Sequence, residues 1–517
     1  MRRLLISCVT LSLLAACASD DSVTRVGDDT LAPATTDAGT TDPDTTDTTA
    51  PNVEPGAFST EAFPVTAPDW STCGDGLECA YVEVPLDYGD VDSERISIFV
   101  AKHPATDPDK RIGSLLVNPG GPGFGGAVLA ERADNIYGSK VLAAFDIIGF
   151  DPRGTGQSSP AIDCIDDYDA FFAGGDITPD DEAERQEAVD SARDFTDACF
   201  ERNGDLLPHV GTNNVARDMD MIRRSLGEDK ISYFGFSYGS ELGAVWATMF
   251  PHTVRAAVLD GATDPEASGI EGALQQNIGF ETSIDTFLAQ CSDDRSCAFH
   301  NDGDAEGAFD RLMLDLDENP IRTVSGRPNL TRGMALTAVA QAMYSSSYWD
   351  TLAQALSDAQ DQDGAGLLDL FDNYFRRRPD GSYGNELEAF INILCADDPE
   401  RMTIEQADAN AARVNEAAPR FSPGTVGDYT CVFWPPALDP RVDITGRGAG
   451  PIVVVGTTGD SATPLEGTRN MARVLEDGRL VVVTAEQHTG YMSDACAQKL
   501  VDTYLVDLEV PAEETDC

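Results

Sequence analysis

Beyond about residue 60, short apolar runs alternate with amphipathic periods. Residues 80–84 and 96–101 alternate apolar and polar positions with period two, which predicts an antiparallel pair of strands. Continuously apolar runs follow at 114–117, 145–150, 231–234 and 256–260, and the pattern resumes at 452–456 and 479–483. Such runs suit strands buried on both faces of a parallel sheet. Helical periods lie between them. In 215–227, Val215, Met219, Ile222 and Leu226 mark one face and Gly227 supplies a stop. The alternation is βαβ, so the predicted class is α/β, a mostly parallel sheet with helices on both faces. From 265 to 440 the period is helical without a repeated buried-strand signature. The simplest organisation is a core over 61–264, an inserted helical cap over 265–440, and a core completed by 441–517.

The first residues read differently. Arg2 and Arg3 precede an apolar stretch at 4–14 that ends in Ala15, Ala16 and Cys17, a secretory signal over 1–16 that is too short for a membrane span. Its end resembles the lipobox of bacterial lipoproteins, which implies a lipid on Cys17 and a cell-envelope location. Ordinary cleavage, with Cys17 incidental and the protein secreted, is the alternative. Residues 17–60 are rich in Thr, Asp and Pro, a composition that buries too little apolar surface to fold and suits a tether.

Setting aside Cys8 and Cys17 leaves ten cysteines, an even number that fits disulfides in an exported protein. Neighbour pairing would join Cys73 with Cys79, Cys164 with Cys199, Cys291 with Cys297, Cys395 with Cys431, and Cys496 with Cys517, although the count allows other connectivities. No C-x-x-C pair or histidine set supports zinc, and no metal or other cofactor is expected. The net charge of −54 argues against nucleic acid and anionic membrane surfaces as partners.

The candidate chemistry is an ordered trio. Gly235-Phe236-Ser237-Tyr238-Gly239 follows a predicted strand and precedes a predicted helix, the context in which a G-x-S-x-G serine is exposed on a sharp turn. Asp460 and His488 follow, each in a loop after a late strand, and the chain order Ser, Asp, His is that of α/β-hydrolases. A serine hydroxyl needs a base to take its proton and an acid to orient that base. His488 is the expected base among five histidines, and Asp460 the expected acid, with Asp260 its competitor at the end of the strand after the elbow. Asn118-Pro119-Gly120-Gly121-Pro122-Gly123 follows a buried strand, where an oxyanion hole is expected from the N–H groups of Gly121 and Tyr238.

These motifs together carry a resemblance. Val84-Pro85-Leu86-Asp87-Tyr88, the Asn118–Gly123 loop, Asp151-Pro152-Arg153-Gly154-Thr155-Gly156-Gln157-Ser158, the serine pentapeptide, Leu259-Asp260-Gly261 and Asp460-Ser461-Ala462-Thr463-Pro464 stand in this order. From about Trp70 to Cys517 the chain resembles the secreted tripeptidyl aminopeptidases, which belong with the proline iminopeptidases among α/β-hydrolase serine peptidases. The resemblance implies removal of short peptides or single residues from a free N-terminus through an acyl-enzyme. It also implies a carboxylate for the substrate's α-ammonium, for which Asp397, in Cys395-Ala396-Asp397-Asp398, and Glu241 are the candidates. The chain departs from the family at Glu241, where an aromatic or small residue is common, and at Glu486-Gln487, where a glycine usually precedes the histidine. A carboxylesterase or lipase-like hydrolase on the same triad, and a catalytically silent binding lipoprotein, are the competing readings.

Overall fold

The computed structural model describes residues 56, 58–74, 76–174, 177–179, 181–425 and 429–517. The signal sequence, Cys17 and the tether up to residue 55 lie outside the described residues.

The apolar runs form a single ten-stranded sheet. Its strands are β1 (Ser71–Gly74), β2 (Leu77–Pro85), β3 (Arg95–His103), β4 (Gly113–Asn118), β5 (Phe145–Phe150), β6 (Ile231–Phe236), β7 (Val254–Asp260), β8 (Ile452–Thr457), β9 (Gly478–Val483) and β10 (Glu514–Asp516). The spatial order is β1-β2-β3-β5-β4-β6-β7-β8-β9-β10. The pairs β1–β2, β2–β3 and β3–β5 are antiparallel, and every pair from β5–β4 to β9–β10 is parallel. The edge strands β1 and β10 are too short and too polar for periodicity to reveal.

The central strands are buried on both faces, as their uninterrupted apolar runs require. Successive residues enter opposite layers. Tyr233, Leu259 and Val454 pack with the helices Thr212–Ser225 and Tyr238–Met249 on one side. Phe234, Val258 and Val453 pack with the helix Ala495–Asp507 on the other.

Between β7 and β8 the chain leaves the sheet. The helices Gly269–Asp293, Ala305–Glu318, Arg332–Met343, Trp349–Gln360 and Ala365–Tyr374 enclose a separate apolar core around Ile284, Leu312, Leu336, Leu356 and Phe371. The helix Glu386–Asp397 turns back, burying Ala389 and Ile393 with residues of the main core. A second excursion lies inside the stretch read as core. The helix Glu182–Asn203 packs Val189 and Ala192 on Ala407 and Tyr429, and Arg185 pairs with Asp408 at 2.5 Å. Its sequence is mostly polar, so it gave no signal of a buried face. Five disulfides join Cys73–Cys79, Cys164–Cys199, Cys291–Cys297, Cys395–Cys431 and Cys496–Cys517. Among the described residues no helix is long and apolar enough to cross a membrane.

Two of the sequence motifs meet in a buried polar knot. Arg153, fully enclosed, donates to Asp218 Oδ1 and Oδ2 at 2.6 and 2.7 Å and to the carbonyls of Pro85, Leu86 and His209. The Tyr88 hydroxyl donates to the same aspartate at 2.7 Å. Removing one partner of such a pair leaves a buried charge uncompensated, which costs about 3–5 kcal/mol. Asp218→Ala is therefore expected to lower unfolding free energy by about that amount in denaturant titrations, whereas a change below about 1 kcal/mol would mean that water reaches Arg153.

Candidate active site

The parallel register brings the candidate residues to one edge of the sheet. Asn118 at the end of β4 pairs with Gly235, Phe236 at the end of β6 with Asp260, and Asp260 with Val455 of β8. The loops that leave β4, β6, β7, β8 and β9 thus emerge side by side.

Ser237 occupies the single residue between β6 and the helix Tyr238–Met249, with φ 55° and ψ −129°. Such a conformation costs a side-chain-bearing residue about 1–3 kcal/mol and persists only where neighbours enforce it. Its N–H donates to the carbonyl of Asp260 at 2.8 Å. The flanking glycines have no room to be anything else. A Cβ on Gly235 would stand 2.1 Å from the Gly239 carbonyl oxygen, and one on Gly239 would stand 2.8 Å from the Asn118 carbonyl oxygen.

His488 and Asp460 meet as the sequence order suggests. Nδ1 of His488 lies 2.8 and 2.9 Å from the two carboxylate oxygens of Asp460 and 3.2 Å from Oγ1 of Thr463. The carboxylate is fixed in turn by the N–H groups of Ala462 (3.1 Å), Thr463 (2.8 Å) and Thr489 (3.3 Å). With Nδ1–H committed to Asp460, the Nε2 lone pair is the basic site. Ser237 Oγ and His488 Nε2 are both buried and neither makes a hydrogen bond among the described residues, which leaves both free for substrate and for proton transfer. Gly261 lies against the imidazole. A Cβ there would stand 2.9 Å from His488 Cε1, and the preceding carbonyl is the one that holds Ser237 N–H.

Asp260, the competing acid, does not touch the imidazole. Its carboxylate accepts the N–H groups of Gly490 at 2.7 Å and Tyr491 at 2.9 Å, so it pins the backbone just beyond His488. Burial pushes its pKa up to about 7 against the opposing pull of these two N–H groups.

The glycine loop lies against the elbow. Gly120 and Gly121 adopt φ of 101° and 108°, and a Cβ on Gly120 would stand 2.9 Å from Ser237 Cβ and 3.1 Å from Tyr238 N. Gly121 and Tyr238, the residue after Ser237, are among those lining a cleft of about 440 Å³. Tyr238 N–H, at the first position of its helix, has no carbonyl to meet within the helix and carries the helix's positive end, which suits an oxyanion.

The same cleft is lined by Glu241, Asp264, Asp397, Asp398, Glu400 and Asp443, with Arg441 as the basic residue among them. Glu241 accepts from Thr263 Oγ1 at 3.1 Å and pairs with Arg441 Nε at 3.2 Å. Asp397 accepts from Thr212 N–H at 2.6 Å and Thr212 Oγ1 at 2.5 Å, and the Tyr238 hydroxyl completes the chain by donating to Thr212 Oγ1 at 2.5 Å. Burial, reinforced by Glu241, pushes the Asp397 pKa up to about 7 while the Thr212 hydrogen bonds oppose it. Thr212 and Arg441 carry no motif that a sequence reading could use. Thr463 stands in the Asp460 motif, but its contact with the histidine is a tertiary fact. The one His/Cys/Asp/Glu cluster with ligand atoms close together among the described residues is Asp494, Cys496 and Cys517, and its cysteines are joined to each other, so they offer no thiolate.

Two expectations follow. Asp460→Asn should lower kcat about 10⁴-fold by removing the charge that orients and stabilises the imidazolium, and Asp260→Asn, which leaves one backbone N–H unpaired, should cost about 10²-fold at most; steady-state rates on one activated ester compare them, and equal losses would contradict the assignment. Asp260, Asp397 and Glu388 all have pKa values raised to about 7, chiefly by burial. The folded state then holds protons that the unfolded chain has released above about pH 4. This contribution to stability is complete below about pH 4 and is lost as pH rises through 7. The melting temperature should therefore be higher at pH 5 than at pH 8, and a melting temperature that does not fall over this range would show that these carboxyls ionise normally.

Comparison with known proteins agrees with this geometry. Residues 113–495 match the family model described as the alpha/beta hydrolase fold. The chain is 35% identical over 458 residues to the serine protease Hip1 of Mycobacterium tuberculosis, covering 86% of this chain and 87% of the relative. It is also 35% identical over 494 residues to carboxylesterase B of the same organism, covering 90% and 93% of the two chains. Tripeptidyl aminopeptidase of Streptomyces lividans is 30% identical over 473 residues, 87% of this chain and 86% of the relative. With its serine elbow, its Asp460–His488 pair and these relatives, the chain belongs to the α/β-hydrolase family.

Proposed function

We propose that this protein is an extracytoplasmic serine exopeptidase that releases short peptides or single residues from free N-termini. The observation that carries the reading is the acid-rich cleft beside Ser237, whose carboxylates outnumber the single guanidinium of Arg441. A positively charged peptide end is drawn into such a cleft, and an acyl or alkyl ester gains nothing from it. In this reading Glu241 and Asp397 hold the α-ammonium, with Arg441 balancing part of their charge. The serine protease and tripeptidyl aminopeptidase among the relatives support the same class.

The chemistry follows from the site. Ser237 Oγ attacks the scissile carbonyl as His488 Nε2 takes its proton, and Asp460 stabilises the resulting imidazolium. The oxyanion is held by the N–H groups of Gly121 and Tyr238. Collapse of the adduct passes the proton from His488 to the departing amine and leaves the N-terminal fragment esterified to Ser237. Water, activated by the same imidazole, then releases it.

The five disulfides support an oxidising compartment, and the N-terminal pattern ending at Cys17 supports a lipid anchor there. The proposed organisation keeps a signal at 1–16, a tether over 17–60, and a cap over 265–440 inserted between core segments 61–264 and 441–517. A carboxylesterase is the second reading, favoured by the relative of that name.

A free-amine tripeptide anilide, its N-acetylated twin and a short-chain ester separate the readings. The exopeptidase reading expects cleavage of the free-amine anilide at least about 10²-fold faster than its acetylated twin, since acetylation removes the positive charge that Glu241 and Asp397 would hold. Ester turnover without anilide cleavage would replace it with the esterase reading. No turnover dependent on Ser237 would favour a binding lipoprotein.

A further inference from the structure

The cap is fastened to the loop that carries the catalytic base. At the end of the cap helix Arg332–Met343 the chain runs through Tyr344 and Ser345 into the short 3₁₀ helix Ser346–Tyr348. This segment lies antiparallel to residues 486–488, with Ser345 opposite Gln487. His488 N–H donates to the Tyr344 carbonyl at 2.9 Å, and Ser346 N–H donates to the Glu486 carbonyl at 3.0 Å. Ser345 Oγ reaches Gln487 Oε1 at 3.4 Å. The Tyr344 ring meets the imidazole of His488 edge to face, with centroids 5.5 Å apart and planes at 71°. One residue earlier, the Met343 carbonyl accepts from Ser461 Oγ at 2.9 Å, beside Asp460.

These contacts use the two residues that immediately precede the histidine. Glu486 and Gln487 supply a carbonyl and a side-chain acceptor to the cap, so the histidine loop behaves as half of a two-stranded ribbon whose other half is cap. Neither strand of this ribbon belongs to the main sheet, and its hydrogen bonds exist only while the cap is seated. Ser237 is fully enclosed in this arrangement, and His488 is 5% exposed.

We infer that Tyr344–Ser346 is a positioning strap for His488, so that seating of the cap and alignment of the catalytic base are one event. A cap displaced at this edge takes with it the acceptor of the His488 N–H and the ring against its imidazole, while the imidazole keeps only its Nδ1 contacts with Asp460 and Thr463. The base is then free to tilt, and a misplacement of about 1 Å costs a reaction of this kind about 10²-fold. The strap acts through His488 and touches no substrate. It rests on the triad and not on the choice between peptide and ester.

The strap can be cut without disturbing the cap's own packing. Ser346 stands at the first position of its 3₁₀ helix, and the preceding residue is extended at φ −160°, ψ 132°. A proline is accepted at such a position and removes the N–H that donates to Glu486. Labelling of Ser237 by a small fluorophosphonate reads the base directly and requires no peptide recognition, so it stays informative if the exopeptidase reading fails. Ser346→Pro should slow labelling by about 10- to 100-fold with the melting temperature unchanged, whereas Ser346→Ala, which keeps the N–H, should restore the wild-type rate. Tyr344→Ala, which keeps the carbonyl but takes the ring off the imidazole and off Phe280 in the cap, provides a second cut should Ser346→Pro not fold, with Tyr344→Phe as its conservative partner. In substrate turnover the loss should fall on kcat with KM little changed. Labelling within twofold of wild type in folded Ser346→Pro or Tyr344→Ala protein, or equal losses in the cut and conservative variants, would overturn the strap.

Discussion

The site depends on one constraint: a serine held in a backbone conformation that it would not choose. Ser237 is fixed at φ 55° by the hydrogen bond from its N–H to Asp260, by the strand before it and by the helix that begins immediately after it. The ladder that places β6 between β4 and β7 supplies the force, because moving Ser237 would break pairings on both sides of β6. The same ladder sets Asn118 beside Gly235, which brings the glycine loop against the elbow, and sets Asp260 beside Val455, which aligns the exits of β7 and β8. The positions of Ser237, the glycine loop and Asp460 are therefore consequences of one register.

Around that centre the buried polar groups divide the work. Asp460 takes the imidazole, Asp260 takes the backbone beyond it, and Asp397 takes Thr212, which in turn holds the phenol of Tyr238. Arg153, Asp218 and Tyr88 form a knot away from the chemistry that ties β2 and the loop after β5 to the helix Thr212–Ser225. Each is a group whose burial is tolerated only because its partner is present. That explains how motifs so close in sequence to catalytic loops carry structural roles.

Legibility from sequence followed burial. Strands enclosed on both faces announced themselves as apolar runs, and β5 was read to its ends. The serine pentapeptide, the glycine loop, Asp460 and His488 were legible because their chemistry demands particular residue types at particular exits of the sheet. The helix Glu182–Asn203 was not, since its surface is charged and the few residues that pack on Ala407 and Tyr429 set no clear period. Thr212, Arg441 and Tyr344 were invisible for a different reason: what they do is defined by partners more than a hundred residues away, or by a backbone carbonyl that has no letter in the sequence. The residues Glu486 and Gln487 read as a flaw beside the base, and the structure pairs them with the cap.

The central claim is that Ser237 becomes esterified during turnover. An activated ester of a free-amine tripeptide, for which deacylation limits the rate, can be mixed with the enzyme, quenched in acid within the first turnovers and weighed as intact protein. The account predicts a mass increase equal to one tripeptidyl acyl group, located on the peptide that contains Ser237 and absent from Ser237→Ala. Product formation with the chain unmodified in every quenched sample would contradict it.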